Sequence, residues 1–224
     1  METKIPILGN VIIDGPTTNF HDQKILIGIS AKNKLFSKKL LRKCFNFIKF
    51  FQCESLITIF DLPYAFNSSG NRNILKPSLS ECKNVILLGN EKERMVIKIL
   101  RNYPSDYFTL QRWSILSKTP IFRELKKEFY QAAKISSFYN YLEKQANIWD
   151  SNITPSRLKY FIGFQLEELP MLIMIYYHLD YLIDIYPGKN FPLFKEIENG
   201  FWEKELPLST NLSKNKYLTF INVS

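Results

Sequence analysis

Apolar residues fall along this chain in two rhythms. The stretch Lys24-Ile25-Leu26-Ile27-Gly28-Ile29-Ser30 is a short apolar run rich in β-branched residues, and residues 55–61, with Leu56, Ile57, Ile59 and Phe60, form a second. Continuous runs of this length read as strands buried on both faces of a parallel sheet. Across residues 33–51 the rhythm changes. Leu35, Phe36, Leu40, Leu41, Cys44, Phe45, Phe47, Ile48 and Phe51 recur at steps of three and four, and Lys38, Arg42 and Lys49 fall opposite them. That spacing predicts an amphipathic helix. Strand, helix, strand is one right-handed crossover unit of a parallel sheet.

The rest of the chain continues the alternation. Residues 78–88 read as a short helix closed by Gly89, and residues 91–102 as another, with Met95, Val96, Ile99 and Leu100 facing inward. Residues 107–116 are aromatic and β-branched, a third strand. Thr119-Pro120 and Thr154-Pro155 each open a helix, Thr as cap and Pro in the first turn. The first is expected to run, whole or broken, to Trp149. The second is expected to end at Glu168-Leu169-Pro170, because proline disfavours helix in the residue before it. Residues 171–186 are almost continuously apolar, read as strand and buried helix that stop at Tyr186-Pro187-Gly188. A last strand is expected near residues 217–223. Residues 1–20, with the turn Asp14-Gly15-Pro16, read as an irregular arm or an edge strand. Without repeats or a low-complexity linker, residues 1–224 are expected to form a single α/β domain.

Composition adds limits. Apolar residues make up 46% of 224 residues, ordinary for a globular protein. No run is long enough to span a bilayer and the N-terminus is no signal peptide, so a cytoplasmic location is expected. Cys44, Cys53 and Cys82 are odd in number and lack paired metal spacing, which suggests reduced core thiols. His21 and His178 are too scattered for a metal site. Lys and Arg number 30 against 21 Asp and Glu, a formal charge of +9. That balance fits a polyanionic partner, or simply a biased genome. Position is more informative than the total. Arg94, Lys98 and Arg101 share one helical face, a ridge able to track a phosphate backbone. Glu91 and Glu93 offset it in part, and a plain solvated face is the alternative.

Candidate chemistry sits at the ends of elements. Gly28 lies in its strand where a side chain would block close approach. Ser30 ends that strand, the place where open α/β sheets bind ligands. A Ser that ends an apolar strand often just caps the next helix, and without a Gly-x-Ser-x-Gly elbow a hydrolase has little support. The loop Asn67-Ser68-Ser69-Gly70-Asn71 suits backbone contact with a ligand, or is a surface loop. A Ser nucleophile needs a group to take and return its proton. A Glu in an apolar pocket, its pKa raised by burial, can do so, and a Tyr hydroxyl can stabilise developing charge. Glu168 and Tyr186 are the candidates.

Gly28-Ile29-Ser30, Glu168-Leu169-Pro170 and Tyr186-Pro187, in that order and spacing, resemble the signature of the cyclodipeptide synthases. The resemblance spans nearly the whole chain, with the basic helix in its expected slot. The Tyr-Pro ending is similar to one subgroup, whereas Asn33 is the residue type of the Tyr-His subgroup. The resemblance implies a Rossmann-like fold, a mostly parallel sheet flanked by helices, similar to class I aminoacyl-tRNA synthetase catalytic domains. It implies a ping-pong reaction on two aminoacyl-tRNAs, through an aminoacyl-enzyme on Ser30 and then a dipeptidyl-enzyme, releasing a diketopiperazine. Glu168 would shuttle protons and Tyr186 would orient Ser30 or its ester. Gly28, Asn33, Gly70, Tyr160 and Phe164 are assigned to substrate contact, and Arg94, Lys98 and Arg101 to tRNA. No cofactor or metal is needed, since the tRNA ester is already activated, and no obligate protein partner is evident.

Two departures stand out. Phe164 occupies a position where the family usually has a Tyr that holds the substrate amino group. Tyr160, one turn back, could stand in, and Glu167 is an adjacent carboxylate. Lys24 replaces a His often seen four residues before the Gly. Phe164 favours a rival reading, a tRNA-binding module of the same fold without turnover. A serine hydrolase of small esters is a further alternative.

Overall fold

The computed structural model describes residues 2–5, 7–17, 19–31, 34–61, 79–149, 151–188 and 190–223. Its centre is a seven-stranded sheet. In chain order the elements are β1 (Glu2–Ile5), β2 (Gly9–Asp14), β3 (Lys24–Ser30), α1 (Lys38–Phe51), β4 (Glu54–Phe60), α2 (Leu79–Leu100), β5 (Phe108–Arg112), α3 (Trp113–Leu116), α4 (Pro120–Ala132), α5 (Ser136–Trp149), α6 (Pro155–Ile173), β6 (Ile183–Tyr186), α7 (Pro192–Glu198), α8 (Pro207–Ser213) and β7 (Thr219–Asn222). The strands lie in the order β1-β2-β7-β6-β3-β4-β5. The five from β7 to β5 are parallel, and the β1–β2 pair joins β7 antiparallel. The start of the chain is thus an edge hairpin rather than an irregular arm.

From β3 the chain crosses through α1 to β4 and then to β5 on one side. It returns to β6 and β7 on the other side. The crevice beyond the carboxyl ends of β3 and β6 is therefore the topological switch point, where sheets of this kind bind ligands. The period of two along β3 divides its side chains between two apolar layers. Ile25, Ile27 and Ile29 pack with Phe45, Ile48, Val96 and Ile99 under α1 and α2. Leu26 faces the opposite layer, built from α3 to α8. Gly28 and Ser30 share that second face.

Several boundaries differ from the sequence pattern. Helix α1 starts at residue 38 rather than 33, because Ser37 caps it by accepting from the Leu40 amide at 3.2 Å. The strand expected over residues 107–116 ends at Arg112, and its second half is α3. The helix from Thr119 is broken into α4 and α5. At Thr119 the hydroxyl donates to the Leu116 carbonyl at 2.8 Å instead of capping α4, whereas Thr154 accepts from the Arg157 amide. Gly89 does not separate two helices, since α2 runs unbroken through it. The glycine is there for space: a Cβ would sit 2.6 Å from the Arg112 guanidinium and 2.9 Å from Asp61 Cβ. Arg112 is paired with Asp61 and Asn90 and lies 3.3 Å from Glu93, which knits the carboxyl ends of β4 and β5 to α2.

Pro170 does not end its helix either. It lies inside α6, which passes directly into a π-helical turn over Met174–His178. Proline there removes an amide donor and distorts the helix without stopping it. Among the described residues no helix is long and apolar enough to cross a membrane. Cys44 and Cys53 are buried thiols outside any disulfide, and Cys82 is half-buried. Burial pushes the Cys44 thiol up to about 12 and the Cys53 thiol up to about 11.

Candidate active site

A cavity of about 160 Å³ opens at the switch point. The sheet side is formed by Gly28 and Ser30 of β3, Phe60 of β4, Asp184 and Tyr186 of β6, and Phe220 of β7. The opposite wall is one face of α6, carrying Phe161, Phe164, Glu168 and Leu172 at steps of three, four and four. Tyr176, Asn190, Phe191 and Phe194 complete it. Ser30, Glu168 and Tyr186 therefore meet around one hollow, although 156 residues separate the first from the last.

Each is held by local structure. Ser30 is the last residue of β3, and the amide of the next residue, Ala31, donates to the Phe60 carbonyl at 3.0 Å. Its Oγ is buried and has no hydrogen-bond partner among the described residues. Capping a helix is thus not its role, since Ser37 does that for α1. Gly28 keeps the floor open: a Cβ there would lie 3.2 Å from the Phe60 ring. Tyr186 is packed between Phe36 and Phe220, with ring centroids at 5.6 and 6.3 Å. The turn that follows also clamps it. A Cβ on Gly188 would fall 2.5 Å from Tyr186 Cε1, so only glycine lets this turn lie against the ring.

The electrostatics are unusual. Loss of hydration, and then the charge of Asp184, push the Glu168 carboxyl up to about 8. Burial pushes Asp184 up to about 7, partly offset by the Tyr176 hydroxyl, which donates to its Oδ2 at 2.6 Å. A carboxyl with a pKa near neutrality can both take and return a proton. Glu167 points the other way. Its oxygens accept from Lys126 at 2.7 Å and Tyr130 at 2.9 Å, on α4.

The remaining candidates divide. Phe164 lines the cavity, whereas Tyr160 is buried, is not among the lining residues, and has a hydroxyl without a partner among the described residues. Asn33 and Gly70, with the rest of the loop at residues 67–71, lie outside the described residues. Arg94 and Lys98 are exposed on α2, and Arg101 is exposed one residue beyond its end. Lys24 pairs with Glu54 at 3.7 Å at the far end of β3. The sequence reading missed Asp184 and Tyr176. Asp184 left one signal, an acid set directly between Ile183 and Ile185.

The fold has counterparts among solved structures. A cyclodipeptide synthase from Staphylococcus haemolyticus superposes with a TM-score of 0.69 at 17% identity, over 95% of this chain and 99% of that one. The chain has the cyclodipeptide synthase fold. A cyclodipeptide synthase from Candidatus Glomeribacter gigasporarum, bound to Phe-tRNAPhe, matches at 0.59 and 19% identity over 90% of this chain and 87% of that one. A tyrosyl-tRNA synthetase from Archaeoglobus fulgidus matches at 0.52 and 10% identity over 92% of this chain and 55% of that one. The cyclodipeptide synthase fold is thus also the likeness to tRNA synthetases expected from the sequence. No protein-family model matches the chain, and no curated protein matches it in sequence.

Proposed function

We propose that the protein is a tRNA-dependent cyclodipeptide synthase, of the subgroup ending in Tyr-Pro, with Ser30 as its nucleophile. The observation that carries this reading is the convergence of Ser30, Glu168 and Tyr186 on one cavity at the switch point of a fold shared with such enzymes. In the first step Ser30 Oγ bonds to the carbonyl carbon of an aminoacyl-tRNA. The ester bond to the tRNA ribose breaks, and the Ser30 proton ends on the ribose hydroxyl, relayed by Glu168. For the dipeptide to remain on the enzyme, the α-amine of the Ser30-bound residue then attacks the second aminoacyl-tRNA and releases its tRNA. The α-amine of the incoming residue next attacks the Ser30 ester carbonyl. The ring closes and the proton returns to Ser30. The Tyr186 hydroxyl orients the ester. The exposed Arg94, Lys98 and Arg101 contact the tRNA phosphates.

The test is incubation with labelled aminoacyl-tRNAs, followed by intact-mass analysis of the protein and mass spectrometry of small products. An aminoacyl adduct and a diketopiperazine are expected, both lost in Ser30→Ala. Product formation by that variant would refute the nucleophile. Binding of tRNA without any adduct would favour the non-catalytic reading, which Phe164, lacking a hydroxyl in the cavity wall, keeps in play. Fluorophosphonate labelling of Ser30 with hydrolysis of simple esters and no use of aminoacyl-tRNA would favour a hydrolase.

A further inference from the structure

The cavity holds more acid than the acyl-transfer scheme uses. Two carboxyls, Glu168 and Asp184, line it, and no Lys, Arg or His lines it among the described residues. Asp184 is only 5% exposed. One of its oxygens accepts from Tyr176, and the other, Oδ1, is buried with no partner among the described residues. A buried carboxylate oxygen without a donor is costly, and a ligand that supplies one recovers that cost.

Its position fixes which part of a ligand arrives there. Asp184 stands beside Leu26 in the parallel register, four residues before Ser30. At about 3.3 Å per residue, that is roughly 13 Å along β3 from the Ser30 backbone. Gly28 lies between them and offers no side chain to obstruct the path. An acyl group carried on Ser30 Oγ, its side chain laid across Gly28, brings the end of a lysine-length chain to Asp184. The walls along this path are the rings of Phe60, Phe164, Phe191, Phe194 and Phe220, whose faces attract cations as well as apolar groups.

We propose that Asp184 forms the floor of the pocket for the first aminoacyl residue and pairs with a cationic side-chain end, selecting a basic amino acid. This rests on Ser30 carrying the acyl group. The α-amine of the same residue lies near Glu168, so each of the two acids has its own nitrogen. Burial holds Asp184 up to about 7 without a ligand; a cation at Oδ1 would draw it down and complete its hydrogen bonds.

Two measurements test the pocket separately from the chemistry. The first offers the protein lysyl-, arginyl-, leucyl- and phenylalanyl-tRNA and follows the aminoacyl adduct by intact mass. At least a tenfold preference for the basic residues is expected. Asp184→Asn should lower the ratio of basic to leucyl adduct at least tenfold, the ratio being read because the absolute rates also depend on the Asp184 charge beside Glu168. A preference for leucyl or phenylalanyl that Asp184→Asn does not alter would overturn the inference and leave the synthase reading intact. The second measures binding of lysine methyl ester and norleucine methyl ester to Ser30→Ala protein by calorimetry. Lysine ester is expected to bind at least tenfold tighter, and equal affinities would overturn the inference. Because this comparison needs neither turnover nor a change at Asp184, lysine preference without any adduct would refute the acyl-transfer reading alone.

Discussion

Replacing Glu168 by Gln should make the folded protein more stable at pH 8 and flatten the pH dependence of its stability. The reasoning starts from proton counts. A carboxyl raised from about 4.5 to about 8 stays protonated in the folded chain while the unfolded chain has already released that proton. Stability then falls as pH rises across the interval, by about 1.4 kcal/mol per pH unit for each such group. The contribution is fully present below pH 4.5 and gone above pH 8. Over the whole interval it amounts to at most about 5 kcal/mol, comparable with the entire stability of many domains. Asp184, raised to about 7, adds a second slope of the same sign that ends about one unit earlier.

Gln has the shape of a protonated Glu and never ionises. Glu168→Gln should therefore lose one of these slopes and fall less steeply between pH 5 and pH 8. Urea titrations from pH 5 to pH 8.5 measure this directly. Near pH 5 the two proteins should agree to about 1 kcal/mol, since Glu168 is neutral in both folded states. At pH 8 the variant should be the more stable. Equal slopes, or a variant less stable at pH 8, would mean that Glu168 is ionised and solvated in the folded protein. The proton relay assigned to it would then lose its physical basis.

Two further substitutions follow from the same structure. Gly89→Ala would ordinarily strengthen a helix by nearly 1 kcal/mol; here it should destabilise, because the new Cβ meets Arg112 at 2.6 Å and disturbs a buried ion pair, and a raised urea midpoint would refute the packing described. Changing Arg94, Lys98 and Arg101 together to Ala should weaken tRNA binding and lower the slope of log affinity against log salt by about 2 to 3, with filter binding at several salt concentrations as the check and an unchanged slope marking the face as merely solvated.

The parts of the fold legible in the sequence are those where burial alone sets the pattern. Strands β3 and β4 are covered on both faces, so they read as unbroken apolar runs, and α1 shows its buried side at steps of three and four. The errors have a different origin. Gly89 reads as a helix stop until Arg112 and Asp61, distant in sequence, are seen to occupy the space a side chain would need. Pro170 reads as a terminus because a local rule cannot register the tertiary packing that carries α6 past it. Ser30 and Tyr186 draw attention because each closes a strand with a polar group, and Glu168 because the proline two residues on reads as a helix end although α6 runs past it. Asp184 escaped because it lies within a strand, where one acid among isoleucines looks like noise until the cavity beside it is visible.

Several departures from local rules gather at one place, and that is informative about the site. A glycine within a strand, a proline within a helix, a π-helical turn, an unpartnered buried hydroxyl and two raised carboxyls each carry a cost that a core built only for stability would avoid. Here each has a consequence for the cavity. Gly28 opens the floor. Pro170 follows Glu168 by two residues and leads into the turn that directs Tyr176 onto Asp184. Among the described residues Ser30 Oγ and Asp184 Oδ1 lack partners, and both residues line the same cavity. Two unmet hydrogen-bonding groups along one hollow fit the ligand inferred above: an electrophilic carbon at one end and a donor at the other, joined by an extended chain. An aminoacyl group with a basic side chain has that shape.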